Sequence, residues 1–160
     1  MKTRILLAFL ALPLMAEAQS TKDSLCGRIA AVLKMVESDS VPQTMAERIF
    51  FSSDGEDFKS LISVFDSTEH IKLQRRYGVV NFNEEAYSSK RYTLDFSYRF
   101  YELVNQMQTC LVGWSMSKEG HNTFDQQFRE AFVFVNKKQN ANVVLETTLQ
   151  SPYKIRVKVF

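Results

Sequence analysis

The sequence predicts an α+β fold, with two principal helices packed on one face of an antiparallel sheet in the order α-β-β-β-α-β-β-β. Three observations carry this expectation. Apolar residues recur with a 3.6-residue period over two segments, near residues 25–36 and 96–111. At the C-terminus, Ile155, Val157 and Val159 alternate with Lys154, Arg156 and Lys158, the two-residue period of a half-buried strand. The remaining apolar runs are separated by turn-forming clusters rather than helices, so neighbouring strands should pair as hairpins.

Composition sets the outer bounds. The chain has 160 residues, 45% hydrophobic, with 13 Phe and 6 Tyr, enough apolar surface for the core of one domain. Only 5 Gly and 3 Pro are present, which excludes a disordered or low-complexity chain. A formal net charge of +2 lacks the strongly basic excess expected of a nucleic-acid protein, so no nucleic-acid partner is expected.

The N-terminus reads as an export leader. Lys2 and Arg4 precede an apolar run over 5–15, broken only by Pro13, and Ala16-Glu17-Ala18 forms a small-x-small cleavage site before Gln19. Residues 1–18 are thus expected to be removed as a signal peptide, leaving 19–160 as a single domain in the periplasm or outside the cell. Cleavage takes away Lys2, Arg4 and Glu17, so the mature chain is nearly neutral. No later stretch approaches the roughly 20 apolar residues of a membrane span.

The first helix follows. Leu25, Ile29, Val32, Leu33 and Val36 share one face, Ser20 with Asp23 resembles an N-cap pair, and Ser38-Asp39-Ser40 with Pro42 ends it. Ala46–Ser52 and residues 61–66 read as strands divided by the turn Ser53-Asp54-Gly55. Residues 71–82 alternate through Leu73 and Tyr77, with Gly78 a bulge or bend. The second helix spans about 88–111, since Phe96, Phe100, Leu103, Val104, Met107, Cys110 and Leu111 keep the helical period. Its first half also alternates strictly through Tyr92, Leu94, Phe96, Tyr98 and Phe100, as a strand would. The helix is preferred because its period continues unbroken to Leu111. Three strands complete the chain: residues 132–135, then Val143, Leu145, Thr147 and Leu149 on one face of the next, then the Ile155–Val157–Val159 strand. Turns at 137–142 and 150–153 make them an antiparallel meander.

Cys26 and Cys110 are expected to form a disulfide. Export delivers both to an oxidising space, their spacing is not C-x-x-C, and two thiolates are too few for structural zinc. Each also sits in the apolar stripe of its helix, so a helix-to-helix bridge with its sulfurs turned to the core is expected.

A leader, a first helix carrying Cys26, strands, and a second helix ending Cys110-Leu111 before Gly113-Trp114 resembles a group of small exported bacterial proteins without assigned activity. The resemblance implies an α+β fold and a disulfide, and it brings no catalytic residues.

Chemistry is harder to find. No phosphate-binding glycine loop, H-E-x-x-H, G-x-S-x-G or EF-hand pattern occurs, and no cofactor or metal is expected. His70 lies in Asp66-Ser67-Thr68-Glu69-His70, where Asp66 and Glu69 could orient it as a base; otherwise it is a polar turn. His121 sits in a similar loop. Asp54-Gly55-Glu56-Asp57 is a turn without the spacing of a calcium loop. Lys154, Arg156 and Lys158 share a strand face that would suit an anionic partner, or simply meet solvent. Lys72, Arg75 and Arg76 could extend that positive face, with Glu146 interrupting it. Trp114, Tyr92, Tyr98 and Tyr101 could line a groove, or pack in the core.

Two functions follow as expectations. The first is an exported, non-enzymatic binding module whose partner is a protein, glycan or small ligand of the cell envelope, with Lys154, Arg156, Lys158 and Trp114 as its surface. The second is a small secreted hydrolase or glycan-acting enzyme built on His70, Glu69 and Asp66. Missing catalytic spacing favours the first.

Overall fold

A computed structural model describes residues 24–38, 40–65, 71–77, 79–119, 128–148 and 151–160. The chain runs α1 (Leu25–Glu37), β1 (Ala46–Ser52), β2 (Gly55–Ser60), β3 (Ile71–Arg76), β4 (Val79–Ser89), α2 (Leu94–Cys110), β5 (Ser115–Glu119), β6 (Phe128–Asn136), β7 (Ala141–Thr148) and β8 (Tyr153–Val159). The fold is mixed α+β. The eight strands of the described residues join one antiparallel sheet in the order β1-β2-β3-β4-β8-β7-β6-β5. Each half is a helix followed by a four-strand meander, and the sheet order is symmetric about the β4–β8 pair. No repeat in the sequence announces this.

The expected order therefore needs correction, because each meander carries a fourth strand. β2 was hidden because its buried residues are Glu56 and Phe58, so a carboxylate interrupts the apolar alternation. β5 is exposed along its whole length as a sheet edge and has no amphipathic signal. The expected strand at 71–82 is two strands. Arg76 pairs with Val79, and Tyr77 between them has φ 53°; Gly78, expected as a bulge or bend, lies outside the described residues. Residues 61–65, expected as part of a strand, are irregular: the Val64 and Phe65 N–H groups bond to a side chain, Glu84, instead of a neighbouring strand.

Both helices form, with shifted starts. Ser24 rather than Ser20 caps α1, its hydroxyl accepting from the Gly27 N–H at 3.2 Å; residues 20–23 lie outside the described residues. α2 begins at Leu94 behind Thr93, whose hydroxyl accepts from the Phe96 N–H at 3.2 Å. Phe96, Phe100, Val104 and Met107 are buried while Leu94 is 91% and Tyr98 69% exposed, so the helical period prevails over the strand-like alternation. Residues 88 and 89 belong to β4.

Aromatic contacts tie α2 to the sheet. The Phe96 ring lies 5.7 Å from that of Tyr87 on β4 and 6.3 Å from that of Tyr153 on β8. Phe100 lies 5.8 Å from Phe132 on β6. The same core takes in Ile29 and Val32 of α1 with Val143, Leu145, Ile155 and Val157 at the sheet centre. The Cys26–Cys110 disulfide joins the start of α1 to the end of α2, with Cα atoms 4.8 Å apart. The bridge is as expected, but its setting is not. Cys26 is exposed and Cys110 only partly buried, so the sulfurs lie at the rim of the helix contact and not in the core. Among the described residues no helix is long and apolar enough to cross a membrane.

Candidate functional site

On β8 the alternation seen in the sequence is realised. Ile155, Val157 and Val159 are fully buried, so Lys154, Arg156 and Lys158 project from the opposite side of the strand. Register decides what they meet. Glu85 of β4 and Glu146 of β7 both stand opposite Arg156, Asn83 stands opposite Lys158, and Lys72 of β3 stands opposite Asn83. These residues consequently share one face, the side away from the core.

Lys72, Asn83, Glu85, Lys154 and Arg156 line a concavity of about 360 Å³ on that face. Lys154 Nζ lies 2.8 Å from Glu85 Oε2. Lys158 Nζ lies 2.8 Å from Glu146 Oε1, and Arg156 Nη1 lies 3.9 Å from the same oxygen. Glu85 and Glu146 are thereby buried beside cations, which hold them in fixed geometry. Lys72 is exposed and has no ion pair among the described residues. Three cations thus border the concavity against a single carboxylate. Such a set offers charge and hydrogen-bond donors, the chemistry of anion recognition.

Alternation along β4 sends the neighbouring glutamates to opposite faces, just before the bulge at Ala86. Glu85 faces away from the core, whereas Glu84, opposite Val157, enters it with 0% exposure. Glu84 accepts from the Val64 N–H at 2.6 Å, from the Phe65 N–H at 2.9 Å and from the Ser63 hydroxyl at 2.9 Å. Burial raises its pKa above the ordinary carboxylate range. The N–H groups of Val64 and Phe65, the Ser63 hydroxyl and the nearby Arg28 charge oppose that rise without cancelling it. Glu84 pins the 61–65 segment, and Arg28 of α1 holds the same segment from the other side, its Nε donating to the Val64 carbonyl at 3.0 Å.

A third polar group lies near the β5 edge. The Tyr101 hydroxyl donates to Glu130 Oε2 at 2.6 Å, while Lys118 pairs with Glu130 and stands over the Tyr101 and Phe132 rings. Hydrogen bonding to Glu130 raises the pKa of both Tyr101 and Lys118. Both are held in their protonated forms, the reverse of what a general base requires.

The structure brings Lys154 and Arg156 into one concavity and places Lys158 beside it, across from Asn83. Trp114 is elsewhere: it precedes β5, beyond β7 and β6 from the basic strand, and packs partly buried against the core. Arg75 also separates from its neighbours, pairing with Glu56 on the core side while Arg76 pairs with Asp57 on the other. The acidic turn Asp54–Asp57 is therefore tied up in part by arginines. His70, Glu69 and Asp66, together with His121 and the 1–18 leader, lie outside the described residues. Lys72, offered by the sequence as an extension of the positive face, lines the concavity; Asn83 and Glu85 complete it through cross-strand register, which a single sequence does not display. Comparison with known protein families, with curated proteins and with solved structures finds no match for this chain.

Proposed function

We propose that this protein is an exported, non-enzymatic binding module that takes an anionic saccharide on the sheet face bearing Lys72, Lys154, Arg156 and Lys158. The observation that carries this is the concavity of about 360 Å³ with three cations against one carboxylate. Both helices would cover the other face and leave this one open. The Phe96 and Phe100 contacts with β4, β8 and β6, and the disulfide tying α1 to α2, support that arrangement. The leader pattern over 1–18 and the disulfide both suit an oxidising compartment outside the cytoplasm.

A titration separates this function from a merely solvated strand. The oxidised protein is titrated calorimetrically with short oligogalacturonates and, in parallel, with neutral malto-oligosaccharides of equal length. Saturable binding of the charged ligand alone is expected, weakening as salt rises. Each charge-assisted hydrogen bond is worth about 1.5–3 kcal/mol, so Arg156→Gln should weaken binding by about tenfold or more. Equal binding of the two saccharides, or none of either, would remove the basis for the proposal.

A further inference from the structure

On the core side of β1, β2 and β3, away from the basic concavity, a second cavity of about 500 Å³ opens. Its centre is Glu56, a buried carboxylate on β2. Arg48 of β1 reaches Glu56 Oε1 through Nη1 at 3.2 Å, and Arg75 of β3 reaches Oε2 through Nη2 at 2.5 Å. Register explains the convergence: Glu56 stands opposite Arg75, and Arg48 stands opposite Phe58 two residues further along. One carboxylate therefore holds two guanidiniums in place.

Both guanidiniums border the cavity and both remain reachable, with side chains 61% exposed for Arg48 and 40% for Arg75. A guanidinium has five N–H donors in a rigid fork, and Glu56 uses only some of them. Charge is unbalanced, because two cations surround one anion. Glu47 also borders the cavity, but it stands opposite Lys59 and alternates to the other side of β1 from Arg48. Beside the arginines the lining is mixed, with Gln43 next to the apolar Phe58, Ala46 and Val41. An excess positive charge fixed next to apolar side chains is the complement of an amphipathic anion.

We propose that the Arg48–Glu56–Arg75 cavity binds a small amphipathic carboxylate, its head on the two guanidiniums and its short apolar tail against Phe58, Ala46 and Val41. The size of the cavity falls within the range of small-molecule sites, about 300–1,000 Å³. Glu56 is the preorganising element: it prevents the arginines from separating, so the ligand does not have to order them. This site is independent of the saccharide surface, since Arg75 and Lys72 lie on opposite sides of β3.

The test uses the oxidised protein and three probes: octanoate, octan-1-ol with the same tail but no charge, and acetate with the same head but no tail. Amide chemical shifts followed by NMR report both affinity and location. Octanoate should saturate with shifts centred on β1–β3 and bind at least about tenfold more tightly than either of the other probes. Arg48→Gln, at an exposed side chain, should reduce octanoate affinity by about tenfold, while Lys72→Gln leaves it unchanged. Equal binding of octanoate and octan-1-ol, equal binding of octanoate and acetate, or no saturation by octanoate overturns the proposal. The probe comparison needs only the wild-type chain, so it decides the matter even if Arg48→Gln does not fold. Failure here leaves the oligogalacturonate titration untouched, because that ligand reads the opposite side of the sheet.

Discussion

Replacing Glu84 by Ala lowers the stability at neutral pH by about 2–4 kcal/mol. Val64 and Phe65 are buried, and the substitution strips their N–H groups of the acceptor each now has. A buried donor left without a partner costs about 1–3 kcal/mol. Two such donors outweigh the relief of no longer burying a carboxylate. Denaturant unfolding of the two proteins measures the difference. A change below about 0.5 kcal/mol, the usual size for unremarkable surface positions, would show that Glu84 does not hold the 61–65 segment.

The same residue gives stability a pH dependence of defined sign. The pKa of Glu84 is raised in the folded protein, chiefly by desolvation. The folded state therefore binds this proton more tightly than the unfolded state does. Stability contributed by this group falls as pH rises from the ordinary value of 4.5 through the raised folded value, and stays lower above it. Glu84→Gln does not titrate, so the stability difference between wild type and that variant should change over this window and be flat above it.

Cys26→Ser and Cys110→Ser each cost about 2–5 kcal/mol, the usual range for a native bridge. The cysteines lie 84 residues apart, and the chain-entropy treatment of a loop of that length gives about 4–5 kcal/mol. Since both residues serve one bond, the double variant should be no less stable than the worse single one. Because the bridge sits at the rim of the helix contact, Ser should leave little cavity behind, and the loss should come mainly from the unfolded chain. Additive losses in the double variant would contradict a shared bond. Against the 5–15 kcal/mol that typically separates folded from unfolded domains, either this change or the loss of Glu84 is a large fraction.

What the sequence made legible follows from what burial imprints on it. Helix α1 and most of α2 were readable because Ile29, Val32, Phe96, Phe100 and Met107 face the core at helical spacing. β6, β7 and β8 were readable because both flanking turns and the apolar residues survive in the local pattern. β2 was not, since Glu56 occupies an inward position where an apolar residue would signal a strand. Nor was β5, where every residue is exposed and no periodicity can form. The disulfide was legible in its partners but not in its exposure, because both cysteines lie at the ends of their helices, where the stripe leaves the core. The basic face was legible on β8 and, through the second basic cluster, in Lys72, but its pairings were not. Lys72 and Glu85 join it through pairings 11 and 71 residues apart in sequence, Lys72 with Asn83 and Glu85 with Arg156. On β4 a bulge at Ala86 adds the extra residue that lets Tyr87 face the core as Glu84 does. Local pattern carries no trace of that.

An exported protein stapled by one disulfide is the premise on which the proposed function rests. It is tested most directly by mass spectrometry of a non-reduced digest of the protein recovered from its native cells. The account predicts one peptide pair cross-linked through Cys26 and Cys110, with a mature N-terminus at Gln19. Free thiols at both cysteines, in a chain that still carries residues 1–18, would contradict it.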